Sequence, residues 1–364
     1  MIATETLVFN IGVFISGLFL LEKGANIFVD NTALLASSLK IPSVLIALLT
    51  AGAEWEELAV VVASLVQRRS GLAVGNVVGS CISNILGAFS LGLLVQSGVT
   101  TFDRSSKLYT AILFSVTSIV SILAIVRSLT KPVGGVLVAA FAVYIALVCW
   151  SIYRGILAAP EDSDSDSDSD AESASTTSSN SGINSALHPS DSIVGGSRQS
   201  VDESSPLLSL PERKQHRNSS YLLNVLLGFA MLTVSGYILS HSAGTLARGI
   251  GISDSVFGTT VLSLATTLPE KFVAVLAQKR GQKGILVANT VGSNIFLLTL
   301  CLGVVLLACN GNTVVVSTHE VAWLWASAGA LLAIVSVGSQ RLLGVILLIA
   351  YIAFLVLEIT MFRR

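Results

Sequence analysis

Apolar residues run along this chain in blocks of about 20, the length that crosses a bilayer core as a helix, and short polar clusters separate the blocks. The blocks predict helices near 7–35, 42–66, 72–97, 106–128 and 133–157, then near 221–247, 252–277, 284–309, 319–339 and 341–360. "KIPS", "QRRSG", "FDRSSK", "TKPVGG" and "KRGQKG" supply the breaks. The stretch 158–220 is of another kind. It opens on "APEDSDSDSDSDAESASTTSSNSG", is Ser-rich and acidic at its start, and holds too little apolar surface to bury a core, so it reads as a disordered loop. The organisation expected is a five-helix unit at 1–157, a loop at 158–220 and a second five-helix unit at 221–364.

Composition narrows the class. The chain is 52% hydrophobic and 12% charged, about half the charged share of a soluble domain, so the fold class expected is an all-α polytopic membrane protein embedded in lipid. The first block is too long for a signal-peptide core and lacks a small-residue cleavage site. A net charge of -1 without a basic patch points away from nucleic acid. Cys81, Cys149, Cys301 and Cys309 all fall in apolar blocks and read as buried free thiols rather than disulfides or zinc ligands. No "HExxH", nucleophile elbow or phosphate loop is present, so neither an enzyme nor a resident cofactor is expected.

The two units repeat. At an offset of 213 residues, Glu57–Ile82 falls on Glu270–Ile295 with 10 of 26 positions identical and no gap. Shared apolar composition explains the matching valines. It does not explain Glu57/Glu270, Asn76/Asn289 and the pairs Gly79-Ser80/Gly292-Ser293 in one register. Five helices per unit is an odd number, so the second unit enters the membrane upside down. Inverted repeats of this kind typify secondary transporters, with the ion site near the midplane between the halves. Lys and Arg lean twelve to seven toward an orientation with the N-terminus away from the cytosol and the central loop in it.

"GAEWEEL" (52–58) places three glutamates inside an apolar run. A carboxylate at helix centre costs about 2.5–3.5 kcal/mol, and a bound cation is the simplest compensation. Ca²⁺ wants six to eight oxygens, mixing carboxylates with neutral carbonyls and hydroxyls. Glu57 and Glu270 are the equivalent acids. "ATTLPE" puts Thr266 and Thr267 just before Glu270, and Pro269 breaks the helix there, freeing carbonyls that a membrane tolerates only in a cavity or on a ligand. "GNVVGS" and "ANTVGS" add Asn76, Ser80, Asn289 and Ser293, while Gly75, Gly79, Ala288 and Gly292 allow close helix packing. Glu54 precedes Glu57 by three residues and shares its helix face. Glu56 points about 100° away.

"ATTLPE…ANTVGSNI" and "GAEWEE…GNVVGSCISN" resemble the paired alpha-repeats of the sodium/calcium exchanger family, the cation/Ca²⁺ antiporters, whose pattern is close to G-T-S-x-P-E followed by G-N-x-x-G-S-N-x-x-[ND]. The resemblance implies ten helices around a central cytosolic loop, Glu57 and Glu270 as paired ligand carboxylates, Asn84 as an amide ligand, and Ser80 and Ser293 as supporting hydroxyls. Departures stand beside it. Ala53, Glu54, Trp55 and Glu56 replace the hydroxyls and proline of the first repeat, Cys81 replaces an asparagine, and Leu297 replaces the final acid or amide.

The expectation is therefore an antiporter moving Ca²⁺ against Na⁺ or H⁺ by alternating access, its first-repeat wall rebuilt around Glu54. Crowded carboxylates can titrate, which makes H⁺ a rival counter-ion. The alternatives are a cation channel and a transport-dead sensor or scaffold. Blander readings also exist: the glycine pairs as packing devices, and the glutamates as ion pairs to Lys23 or Lys271, although Lys271 follows Glu270 directly and so faces elsewhere on a helix. In the loop, Glu203 with Leu207 and Leu208 fits an acidic dileucine signal for a sorting adaptor, hence a vacuolar or other endomembrane address.

Overall fold

The computed structural model describes residues 4–38, 54–96, 98, 101–153, 218–281, 283–309, 314–338 and 340–361. The first apolar blocks form α1 (Thr4–Ser38), α2 (Trp55–Val66), α3 (Ser70–Val95), α4 (Arg104–Ile125) and α5 (Lys131–Tyr153). The later blocks form α6 (Asn218–Ile250), α7 (Asp254–Thr266), α8 (Leu268–Lys279), α9 (Lys283–Ala308), α10 (Thr318–Val337) and α11 (Arg341–Met361).

Among the described residues, seven helices are long and apolar enough to span a bilayer, and the pair α7–α8 makes an eighth, bent by 45°. The apolar part of α5, Lys131–Leu147, is shorter. The expected helix 42–66 is described only from Glu54 onward, and the dileucine segment at Glu203, Leu207 and Leu208 lies outside the described residues.

Burial sorts inner helices from outer ones. The apolar windows of α3 and α9 are 89% and 72% buried, those of α1 and α6 only 22% and 28%. Phe9, Phe19, Leu223 and Phe229 face outward from α1 and α6, which suits lipid tails as apolar as the side chains themselves. The two inner helices carry the repeat motif. Both are interrupted by wide π-helical turns, Ser83–Phe89 in α3 and Leu297–Cys301 in α9, which the 213-residue offset superposes to within a residue. A third such turn, Gly258–Leu262, lies in α7. π turns are rare and gather at functional sites because they displace the following side chains from the regular helical face.

The break between α7 and α8 falls at Thr267 (φ -89°, ψ 17°), two residues before Pro269. The reason is local. Pro269 would clash with the carbonyl of Ala265 and biases its predecessor away from α geometry, yet it is tolerated in the first turn of α8, where its missing N–H has no partner to lose.

The inner helix α3 meets α7 backbone to backbone. A Cβ built on Gly75 would lie 2.2 Å from Ser255 O, and one on Gly79 would lie 2.3 Å from Thr259 O. The packing reading of these glycines therefore holds alongside any role in ion binding. The pair Arg69–Asp254, 3.1 Å apart, joins the start of α3 to the start of α7. Gly79→Ala is expected to lower stability by about 1–3 kcal/mol, the cost of overpacking a rigid contact. A thermal melt in detergent reads this directly, and an unchanged melting temperature would contradict so close a contact.

Candidate ion-binding site

Glu57 is fully buried, in the first turn of α2 rather than at a helix centre. Its Oε1 accepts a hydrogen bond from Ser80 Oγ of α3 at 3.3 Å. The Thr266 hydroxyl lies beside the same carboxylate, its own proton directed to Leu262 O at 3.1 Å. Glu57 Oε2 has no hydrogen-bond partner.

Glu54 is the residue that begins α2, and its backbone (φ -78°, ψ 69°) has already left the helix. It therefore does not stack over Glu57 on one helix face, as the three-residue spacing predicts. Its side chain makes no capping bond and is buried against Ser293 and Glu270 of the second repeat, with Glu57 close enough to repel it. Glu270 occupies the first turn of α8, and its Oε2 is buried without a partner. Glu56 is half-buried and feels Glu22 of α1 as well as Glu54 and Glu57.

The helix N-termini that hold Glu57 and Glu270 carry unpaired N–H groups and the positive end of the helix dipole, which favours carboxylates there. That goes part of the way toward tolerating three acids in one apolar region. Trp55 closes one side, its ring edge-on to Phe28 of α1 at 5.5 Å and to Phe296 of α9 at 6.1 Å.

The neutral oxygens come from α3 and α9. Asn76, Ser80 and Asn84 recur every four residues along α3, and both amide atoms of Asn76 and Asn84 are buried without a partner. On α9 the same holds for Ser293 Oγ and for both amide atoms of Asn294. An unpaired buried polar group costs about 1–3 kcal/mol, and an orphan in a native structure calls for a ligand or a function. Here such orphans occur in both repeats, and Glu57 Oε2 and Glu270 Oε2 are among them.

Three placements differ from the sequence expectation. Asn289 is only half-buried, and its neighbour Ala288 is exposed, so Asn289 stands apart from the fully buried set. Thr267 is buried, but both its oxygens hold the ammonium of Lys271. Lys271 itself does not face away: it is buried, because α8 begins only at Leu268 and the long stem turns back over the break. It is paired with hydroxyls, and among the described residues it makes no ion pair with the glutamates.

Asn294 is the residue that sequence reasoning passed over. Its signal lay in the repeat: Asn294 is the counterpart of Cys81, as Asn84 is of the fully buried Leu297. Each repeat thus keeps one amide, at alternate positions. Cys81 is buried within electrostatic reach of Glu54 and Glu57. Among the described residues, carboxylates, imidazoles and thiols alone form no closed metal cluster of three. The amides and hydroxyls beside them complete a mixture of oxygens that suits a hard cation.

A family model described as sodium/calcium exchanger protein matches residues 9–150 and 220–360. The sodium/calcium exchanger MaX1 of Methanosarcina acetivorans is 27% identical over 366 residues, covering 95% of this chain and 97% of that protein. A protein described as the putative antiporter CaxA of Alkalimonas amylolytica is 28% identical over 298 residues, covering 79% and 77%. Among solved structures, the sodium-calcium exchanger NCX_Mj matches with a TM-score of 0.56 over 95% of this chain and 98% of that one, at 19% identity.

Proposed function

This chain belongs to the sodium/calcium exchanger protein family, and on that premise we propose that it is an antiporter exchanging Ca²⁺ for a monovalent cation through the buried oxygen cluster of Glu54, Glu57, Glu270, Ser80, Ser293, Asn84 and Asn294. The family is one of exchangers, not of enzymes. The observation that carries the reading is the set of buried, unpartnered oxygens contributed by both repeats: Glu57 Oε2, Glu270 Oε2, Asn84 Oδ1, Asn294 Oδ1 and Ser293 Oγ.

Three like charges in one apolar region repel one another, and a divalent cation removes that repulsion while satisfying the orphaned oxygens. Two conformations that present the cluster to opposite sides would then move ions by exchange. The broken span α7–α8, buried at Thr266 and Thr267 and exposed at Leu264 and Leu268, and the π turns supply the irregular backbone that such a site requires.

The counter-ion is Na⁺ by kinship with the exchangers named above, or H⁺ through the additional carboxylate Glu54. The experiment is ⁴⁵Ca²⁺ uptake into proteoliposomes under an imposed Na⁺ or H⁺ gradient. Uptake driven by either gradient supports antiport and names the ion. A strict Na⁺ requirement removes the proton version, and voltage-driven flux with no counter-ion removes antiport in favour of a channel. The proposed setting is an endomembrane with the central loop in the cytosol. Leu207→Ala with Leu208→Ala is expected to move a fluorescently tagged chain from that compartment to the cell surface, and an unaltered distribution counts against the signal.

A further inference from the structure

Beside the glutamate cluster, Lys271 Nζ is held by three oxygens: Thr267 Oγ1 at 2.6 Å, Ser83 Oγ at 2.9 Å and Thr267 O at 3.0 Å. An ammonium has three protons to donate and no acceptor capacity, so this coordination is complete. The surrounding protons also have one consistent assignment. Thr267 donates its own proton to Ser263 O at 2.6 Å. Its hydroxyl therefore accepts from Lys271 and from Ser83, which lies 2.8 Å away. Ser83 in turn accepts from Lys271 and from Tyr351 OH at 2.9 Å. No hydroxyl in the set is left unpaired. The lysine stem crosses α3 at Gly87, where a Cβ would come within 3.2 Å of Lys271 Cε.

The parts of this nest are those of a monovalent-cation site. They are the carbonyl at the helix break, which also accepts the first backbone bond of α8, and two hydroxyls, all neutral, drawn from both repeats and lying near the charges of Glu270, Glu57 and Glu54. A buried lysine that served as a counter-charge would reach a carboxylate directly. Lys271 bonds to none among the described residues and instead occupies the neutral oxygens.

We propose that the Lys271 ammonium is a tethered monovalent cation that permanently fills a three-oxygen subsite formed by Thr267 O, Thr267 Oγ1 and Ser83 Oγ, so that no transported ion enters there. Resting on the antiport reading, the inference bears on stoichiometry. This chain binds and exchanges one monovalent cation fewer per Ca²⁺ than it would with the subsite vacant.

The test removes the tether. In Lys271→Ala, equilibrium binding of ²²Na⁺ to the purified protein is expected to saturate at one more Na⁺ per chain than in wild type. The reversal potential of Ca²⁺ flux is expected to shift by one additional charge per cycle. Equal Na⁺ counts in wild type and variant overturn the proposal. Binding is read without transport, so a wild type that moves no ions defeats the antiport reading while leaving this count to decide the subsite. If Lys271→Ala does not fold, Lys271→Ser takes its place, and folding restored by Na⁺, K⁺ or ethylammonium supports the proposal. Failure of both variants to fold in all three cations overturns it, since a free cation refilling a true cation subsite restores its bonding.

Discussion

Glu270→Gln is expected to abolish gradient-driven Ca²⁺ uptake and, at the same time, to raise the melting temperature. The substitution keeps the shape of the side chain and removes one negative charge. Affinity of oxygen sites for Ca²⁺ depends on ligand charge, and loss of one carboxylate is expected to weaken binding on the order of 100-fold, about 2.7 kcal/mol. Stability moves the other way. Glu270 lies among three carboxylates, Glu57, Glu56 and Glu54, and one ammonium, Lys271. Its Oε2 has no partner to lose, and a glutamine oxygen can still accept the bond from Glu54, so neutralising it relieves more repulsion than the attraction it forfeits in the ion-free protein. The opposed signs separate a binding role from a structural one: a glutamate held in a structural ion pair would lose stability on becoming glutamine. Uptake into proteoliposomes and a Ca²⁺-free thermal melt check the two halves. Retained uptake would remove Glu270 from the site.

Asn294→Leu is expected to raise the apparent KM for Ca²⁺ about tenfold, the loss of one neutral oxygen ligand at about 1.4 kcal/mol, with little change in melting temperature. The chain itself supplies the precedent. Leucine already stands, fully buried, at 297, where the other repeat has Asn84. Because both amide atoms of Asn294 are unpaired, its replacement by an apolar group of similar size forfeits no hydrogen bond. Adding Leu297→Asn to the variant returns an amide to α9 and is expected to recover part of the affinity. An apparent KM for Ca²⁺ that stays at the wild-type value in Asn294→Leu would take the residue out of the coordination set.

Much of the plan was legible in the chain. The long helices follow from runs of apolar residues, along which the backbone must satisfy its own N–H and C=O groups in lipid. The equivalence of Glu57 and Glu270 follows from the offset alone. Legibility failed where bends and long side chains decide. The spacing of Glu54 and Glu57 reads as one helix face, yet Glu54 sits outside α2 and turns to the second repeat. Lys271 follows Glu270 in sequence and reads as pointing elsewhere, yet the break at Thr267 and a four-carbon stem bring its ammonium to Ser83 across the molecule. Asn289 matches Asn76 in the repeat, but the two are buried to different degrees.

The sequence by itself determined the class, the repeat, the equivalent acids and the family, because these rest on composition and on local order that any folded state of the chain must keep. Only the tertiary structure decided which oxygens stand unpaired and that a lysine fills the hydroxyl nest beside the acids. Those outcomes depend on where α3, α7, α8 and α9 meet, and helix breaks and π turns shift a side chain's direction without leaving a periodic trace in the sequence.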